Sequence, residues 1–233
     1  MVSTKPAAGQ RATIQQEVKL LQRFLTAEPS LAIDIGGNVG SYTAELRRRI
    51  PTLEIHTFEP SANNVTILVE RFRGDRLIHV VPVAVSDNNG EQVLFSNEPG
   101  SGLGSLTRRR LEHFGIAFDV KERVRTIRFE EYWRSELNSR GIDLVKMDIE
   151  GHEFSALKGF GGAIKLVKVL QFEFGGANID TRTYFQDFWY FFKEYGFDLY
   201  RITPYGAERI IQYREVDEFF FVTNYIAVNR SLS

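Results

Sequence analysis

The 233-residue chain carries 29 Lys and Arg against 30 Asp and Glu, a formal charge of −1, with 43% hydrophobic and 25% charged residues. That balance excludes a wholly disordered chain and supplies none of the strongly basic surface that duplex nucleic acid calls for, so no nucleic-acid partner is expected. There is no cysteine, which excludes disulfides, zinc–thiolate sites, thiol nucleophiles and cysteine-held clusters.

The opening stretch MVSTKPAAGQRAT lacks the apolar core of a signal peptide, and no run of eighteen apolar residues could span a bilayer. The simplest expectation is a soluble cytoplasmic protein without a membrane span. Ile14, Val18, Leu21 and Leu25 fall at the spacing of one helical face, predicting a helical extension within residues 1–30. Residues 31–36 read as a buried strand running into a glycine turn, and 41–49 as a helix that Pro51 stops. A strand over 54–59, a helix over 62–72 and a strand over 77–85 continue a β-α-β-α-β series, which predicts a parallel sheet with covering helices.

Regularity lapses in an insert over about 88–127. It holds the turn Asn88-Asn-Gly90, a hairpin strand over 92–96, and a glycine/serine loop over 98–106. Within that loop, residues 100–105 read either as a lid over a ligand or as a plain mobile loop. Arg108-Arg-Arg110 reads as solvated surface, with contact to an acidic acceptor as the rival reading. Alternation then resumes with a helix over about 129–140, a strand over 144–149, a short helix from Glu153 and a strand over 167–174. An aromatic helix over about 183–195 follows, with Phe185, Phe188, Trp189 and Phe192 on one core-facing side. Segments 197–202 and 219–228 resemble an antiparallel pair closing the sheet. One α/β domain, residues 1–233, accounts for the whole.

The strongest local signal is Ile33-Asp-Ile-Gly-Gly-Asn-Val-Gly-Ser41. A buried strand ends in an acidic residue, glycines turn the chain, and a helix starts near Asn38 or Gly40, with Asn38 as its cap. Glycines permit positive φ and a close approach of ligand to backbone, while the helix N-terminus offers free N–H groups to an anionic group. The dinucleotide spacing G-x-G-x-x-G fails in both registers, and there is no P-loop. What stands is D-x-G-x-x-x-G on Asp34, Gly36 and Gly40, with Gly37 and Asn38 inside it. Glu59 ends the second predicted strand, where a carboxylate accepts hydrogen bonds from both ribose hydroxyls. An intact ribose diol without a pyrophosphate fingerprint points to S-adenosylmethionine rather than NAD.

The segments AIDIGGNVGSYT (32–43), HTFEPSANN (56–64), VAVSDNNGE (83–91), GLGSL (102–106), LVKMDIEGHEFSALKG (144–159) and FVTNYIAVN (221–229) together resemble the FkbM family of S-adenosylmethionine-dependent methyltransferases. The resemblance implies a Rossmann-like class I fold over residues 31–229. That is a mostly parallel seven-stranded sheet with an antiparallel last strand and helices on both faces. It also implies methyl transfer to a hydroxyl of a sugar, glycan or specialised metabolite, leaving S-adenosylhomocysteine. On this mapping Asp34 to Gly40 hold the methionine end and Glu59 the ribose. Ser86 and Asp87 lie at the adenine edge, although Ser-Asp-Asn-Asn-Gly is equally a good turn sequence. The N-terminal helix and residues 180–215 remain for acceptor specificity.

Methyl transfer from a sulfonium to an alcohol has a neutral leaving group, so the demands are alignment and removal of the alcohol's proton. Asp148, Glu150, His152 and Glu153 follow one predicted strand and Glu173 lies near the end of the next, at the edge where α/β sheets bind ligands. Asp148 and Glu150 share a side if the strand runs that far. His152 or a carboxylate acting directly as base is slightly preferred. The rival is a divalent ion on Asp148 and Glu173, with His152 beside them, which lowers the hydroxyl's pKa. Oxygen ligands would select Mg²⁺, Mn²⁺ or Ca²⁺, though nothing in the sequence requires an ion. Structural roles compete at Glu150 (pairing), Glu153 (first helical turn) and His152 (solvent). His56 and His79 read as core or edge residues. Two other classes remain open: an NAD-dependent oxidoreductase or epimerase, which lacks a Tyr-x-x-x-Lys pair here, and a non-catalytic nucleoside-binding module. A homodimer is compatible with the sequence, which leaves the oligomeric state unset.

Overall fold

The computed structural model describes residues 8–25 and 28–232, with side chains from residue 14 onward. The first residues of the stretch read as lacking a signal-peptide core lie outside these. In chain order the elements are α1 (Ala8–Leu21), β1 (Leu31–Ile35), α2 (Ser41–Arg49), β2 (Glu54–Phe58), α3 (Ala62–Arg71), β3 (Ile78–Val81), β4 (Ala84–Ser86) and β5 (Gly90–Ser96). There follow β6 (Val120–Arg128), α4 (Phe129–Ser135), β7 (Ile142–Met147), α5 (Glu153–Gly159), β8 (Val167–Phe174) and α6 (Ala177–Thr181). The last are α7 (Phe185–Glu194), β9 (Phe197–Thr203), β10 (Gly206–Ile210) and β11 (Thr223–Asn229).

Eight strands form one sheet in the order β10-β9-β11-β8-β7-β1-β2-β3, and β4-β6-β5 form a second, smaller one. β3, β2, β1, β7 and β8 run parallel, while β11 lies antiparallel between β8 and β9. The reversed last strand is therefore as expected, but the expected seven strands become eight. The segment after β9 folds back as β10, pairing antiparallel with β9. Nor is 77–85 one strand. Pro82 has no N–H to donate, pairing with β2 stops at Val81, and β4 resumes against β6 in the small sheet.

The insert is more regular than its sequence suggests. β6 pairs antiparallel with β5 from Gly90 to Ser96. Lys121, Arg123 and Arg125 occupy its exposed positions, and Val124 and Thr126 turn inward.

β1 is buried along its length and its alternation divides the core. Ile33 and Ile35 belong to the cluster with α4, α5 and α7, whereas Ala32 packs with Val18 and Leu21 of α1 and Tyr42 and Leu46 of α2. The predicted aromatic face of α7 is core: Phe188 and Phe192 stack on Phe172 of β8 at 4.9 and 5.2 Å. Offset aromatic pairs of this kind add roughly 0.5–1.5 kcal/mol beyond their buried area. Helices thus cover both sheet faces, and sheet order reverses direction at β1, the switch point where such folds open a crevice. Among the described residues, no helix is long and apolar enough to cross a membrane.

Candidate functional site

A cavity of about 1100 Å³ opens at the carboxyl ends of β1, β2, β7 and β8. Small-molecule pockets usually measure roughly 300–1,000 Å³, so this one has room for a donor together with part of an acceptor. The loop over 98–104, Val120 to Glu122 of β6, and Ile14 and Glu17 of α1 complete its wall.

At one end lies the glycine turn. Gly36 has φ 87° and its missing Cβ would stand 2.0 Å from the Asp148 carbonyl oxygen. A Cβ on Gly37 would meet Thr57 Cγ2 at 2.1 Å, and one on Gly40 (φ 77°) would meet the Phe72 ring at 2.6 Å. The chain's own packing therefore demands these glycines, beyond the ligand approach anticipated from sequence. Asn38 is not the cap of α2: Gly40 holds that position, and Asn38 (φ 46°) turns its backbone N–H away from the helix to Glu59.

Glu59 is buried and anchored. Its Oε2 accepts the Asn38 N–H at 2.8 Å, and its Oε1 accepts the Ser61 N–H at 2.9 Å and Asn64 Nδ2 at 3.5 Å. A carboxylate has about four acceptor positions, so lone pairs remain for further donors. Burial raises its pKa, and the N–H bonds from Ser61 and Asn38 pull it back. Asp34 accepts Thr43 Oγ1 at 2.5 Å, and Thr43 meets Thr57 at 2.9 Å. Burial raises the Asp34 pKa as well, opposed by the Lys146 charge. Ser41 Oγ, Ser61 Oγ and Asn64 Oδ1 are buried without a partner among the described residues, and all three residues line the cavity. Orphaned buried polar atoms are uncommon in native structures, and here they cluster on one wall.

Along the next wall, residues 83–85 face the cavity, and Ser86 and Asp87 lie behind them. The Ser86 hydroxyl donates to Asp87 Oδ1 at 3.2 Å and meets His152 Nε2 at 3.0 Å. Of these three residues, His152 is the one that reaches the wall. It does not join the carboxylates: the turn through Glu150 (φ 55°) and Gly151 (φ 95°) swings its ring toward β4. Burial lowers the His152 pKa, with Asp87 opposing.

The far end is acidic. β7 stops at Met147, so Asp148 and Glu150 do not share a strand face; the turn brings them together instead. Carboxylate oxygens of Asp148, Glu150 and Glu173 lie within 4.8 Å of one another. Lys146 Nζ holds Asp148 at 2.9 Å, and the Arg109 guanidinium pairs with Glu150 and lies 3.7 Å from Asp180. Burial, then the Asp148 charge, pushes Glu150 up to about 7. Glu173 is driven higher still by burial and by Asp148 and Glu150 together. Glu153 is off the wall: its Oε1 accepts the Ile149 N–H at 2.8 Å, a structural role, and burial lifts it to about 7.

Four residues of this site escape a reading of the sequence. Lys146 sits within the strand read over 144–149, whose pattern gives no sign that its side chain reaches the site. Arg109, read with its neighbours as solvated, has a side chain only 10% exposed. Glu17 and Asn224 also reach the cavity, joined by Gln171, whose Nε2 donates to Glu17 Oε2 at 3.1 Å and Asn224 Oδ1 at 3.0 Å. The glycine/serine loop is tied at its base by paired backbone bonds between Phe95 and Ser105 (2.8 and 3.0 Å), and Ser105 Oγ donates to the Glu150 carbonyl at 2.8 Å. Its residues 98–104 line the cavity.

The family model described as the methyltransferase FkbM domain matches residues 34–199. The 2-O-methyltransferase NoeI of Sinorhizobium fredii is 28% identical over 155 residues, 62% of this chain and 61% of that protein. The match therefore spans less than two thirds of that relative's length. Among solved structures, a candidate O-methyltransferase from Nostoc punctiforme superposes with a TM-score of 0.51 at 12% identity, over 94% of this chain and 56% of that one. The fibrillarin pre-rRNA processing protein of Methanococcus jannaschii gives 0.50 at 10% identity, over 91% and 74%. At such identities the structural likeness is one of fold.

Proposed function

The chain belongs to the FkbM methyltransferase family, and on that footing we propose that it transfers a methyl group from S-adenosylmethionine to a hydroxyl oxygen of a sugar, glycan or specialised metabolite. The observation that carries this reading is the donor end of the cavity. There an anchored Glu59 with free lone pairs faces a glycine turn, and three buried oxygens on the same wall lack partners. A nucleoside with an intact diol and an amino-acid tail supplies the hydrogen-bonding groups that those oxygens want. When bound, S-adenosylmethionine supplies a methyl group on positively charged sulfur with a neutral leaving group.

Residues 36–40 and Asp34 hold the amino-acid tail and Glu59 the diol. Residues 83–85 and His152 wall the base, with Ser86 and Asp87 fixing His152 from behind. Asp148, Glu150 and Glu173 receive the acceptor, and the hydroxyl proton passes to this cluster, where Lys146 Nζ holds Asp148 in place. Alignment of the two reactants contributes most, roughly 7–11 kcal/mol, against about 10²–10⁴-fold from a positioned base. Glu17 and Asn224 add hydrogen-bonding groups suited to a polyhydroxylated acceptor, Arg109 holds Glu150 from outside the lining, and the name of the Sinorhizobium relative supports oxygen as the methyl-accepting atom.

A second reading of the acidic end rests on the convergence of three carboxylates: a hard divalent ion on Asp148 and Glu173 would relieve their repulsion. Turnover lost on exhaustive chelation and restored by Mg²⁺ or Mn²⁺ supports the ion; full activity after chelation supports the direct base. The proposal as a whole is tested by calorimetry. S-adenosylhomocysteine is expected to bind at micromolar or tighter affinity, weakened strongly by Glu59→Ala. Preference for NAD, or indifference to that substitution, would overturn it.

A further inference from the structure

A second cluster of ligating side chains lies at the opposite end of the strands, and none of its members lines the cavity. Glu54 and His56 alternate on one face of β2, and His79 is the register partner of His56 on the edge strand β3. The two imidazoles stack at 4.3 Å, and their Nε2 atoms converge on a single carboxylate oxygen: Glu54 Oε1 is 3.0 Å from His56 Nε2 and 3.5 Å from His79 Nε2.

We propose that Glu54, His56 and His79 bind one borderline divalent transition ion, with zinc the best fit, as a clamp across β2 and β3. Zinc bonds of about 2.0–2.1 Å to nitrogen and about 2.0–2.2 Å to oxygen in a tetrahedron set ligand atoms about 3.3 Å apart, and the two observed separations bracket that value. Two nitrogens and one oxygen favour such an ion over Mg²⁺ and Ca²⁺, which prefer all-oxygen sites. Outer partners are already in place. Tyr132 Oη lies 2.7 Å from His56 Nδ1, and Arg140 Nη2 donates to Glu54 Oε2 at 2.7 Å, leaving Oε1 turned to the imidazoles. Such contacts orient metal ligands and fix the imidazole tautomer. When an ion takes His56 Nε2, the ring proton moves to Nδ1, where the Tyr132 oxygen accepts it. His79, 44% exposed, gives the ion an entry path, and its ring, stacked on His56 at an interplanar angle of 18°, turns on binding to aim its lone pair at the shared point. Water completes the fourth position.

The test is a Zn²⁺ titration of the full chain, stripped of metal, read by competition with a chromophoric chelator. Co²⁺ serves as a spectroscopic stand-in. One equivalent is expected at micromolar or tighter affinity, weakened at least tenfold by His79→Gln and by Glu54→Gln, and unchanged by Asp148→Asn. The tetrahedral Co²⁺ absorption should vanish in His79→Gln, whose circular dichroism should match the parent's. Absence of binding, binding indifferent to His79→Gln, or loss on Asp148→Asn instead would each overturn the proposal. Loss on Asp148→Asn would move the ion to the acidic end of the cavity; the other outcomes leave the reading of methyl transfer untouched.

Discussion

Gly36 and Gly74 share a backbone conformation, with φ of 87° and 85°, and differ in what surrounds them. A Cβ on Gly74 would meet nothing within 4 Å, whereas one on Gly36 would lie 2.0 Å from the Asp148 carbonyl oxygen. That carbonyl belongs to the chain as it leaves β7, and the Asp148 N–H is bonded to the Ile35 carbonyl at 3.0 Å, so it cannot retreat without loosening the β1–β7 seam. Gly74→Ala therefore carries only the left-handed penalty of about 1–2 kcal/mol. Gly36→Ala adds an overpacking cost of about 1–3 kcal/mol, for a total of about 2–5 kcal/mol. At about 2–4 °C per kcal/mol for a domain of this size, the expected falls in Tm are about 2–8 °C and about 4–20 °C. Thermal melts followed by circular dichroism measure both, and calorimetry with S-adenosylhomocysteine should show that Gly36→Ala alone weakens donor binding. Equal melting temperatures for the two variants would refute the claim that the turn is pressed against the strand carrying Asp148.

Two further outcomes concern the acidic end. Glu150 and Glu153, at about 7, and Glu173, higher still, all lie above the ordinary carboxylate value of 4.5, with burial as the leading cause. Above about pH 4.5 the folded chain therefore holds more protons than the unfolded one, so these groups subtract stability as pH rises to about 7 and, through Glu173, beyond. Glu173→Gln should melt higher than the parent at pH 8 and close to it at pH 5; an equal gain at both values would argue against burial of this carboxyl. Arg109→Met removes the partner of a largely buried Glu150. Breaking a buried pair costs about 3–5 kcal/mol when the remaining charge cannot be neutralised. Glu150 can take up a proton, so the loss in Tm should be distinctly smaller at pH 6 than at pH 8, and a loss independent of pH would count against the pairing.

Local pattern carried much of this molecule. The alternation of apolar residues placed β1, β2, β7 and β8, Pro51 marked the end of α2, and the aromatic spacing of α7 identified its core face. Asp34, the glycine turn and Glu59 were legible because a strand end, a tight turn and a second strand end are each short-range features whose residues must be of one chemical type. Two elements were not. β10 is a short, partly exposed stretch that pairs with β9 across a tight turn between Thr203 and Gly206, and β6 reads as polar because Lys121, Arg123 and Arg125 are exposed while its pairing with the distant β5 holds it in the sheet.

The site divides along the same line. Proximity along the chain grouped Asp148, Glu150, His152 and Glu153, but direction is decided by the turn after β7. Two consecutive residues with positive φ send Glu150 toward Glu173 and Arg109, His152 toward Ser86, and Glu153 back to the Ile149 N–H. The pairing of Arg109 with Glu150 and the reach of Glu17 into the cavity span long stretches of chain, and single-residue identity does not record such meetings. Chain chemistry thus determined the glycine turn after β1 and the carboxylate at the end of β2. Which carboxylates face one another was decided by tertiary packing, because a side chain's direction depends on backbone angles and on neighbours that only the folded sheet brings together.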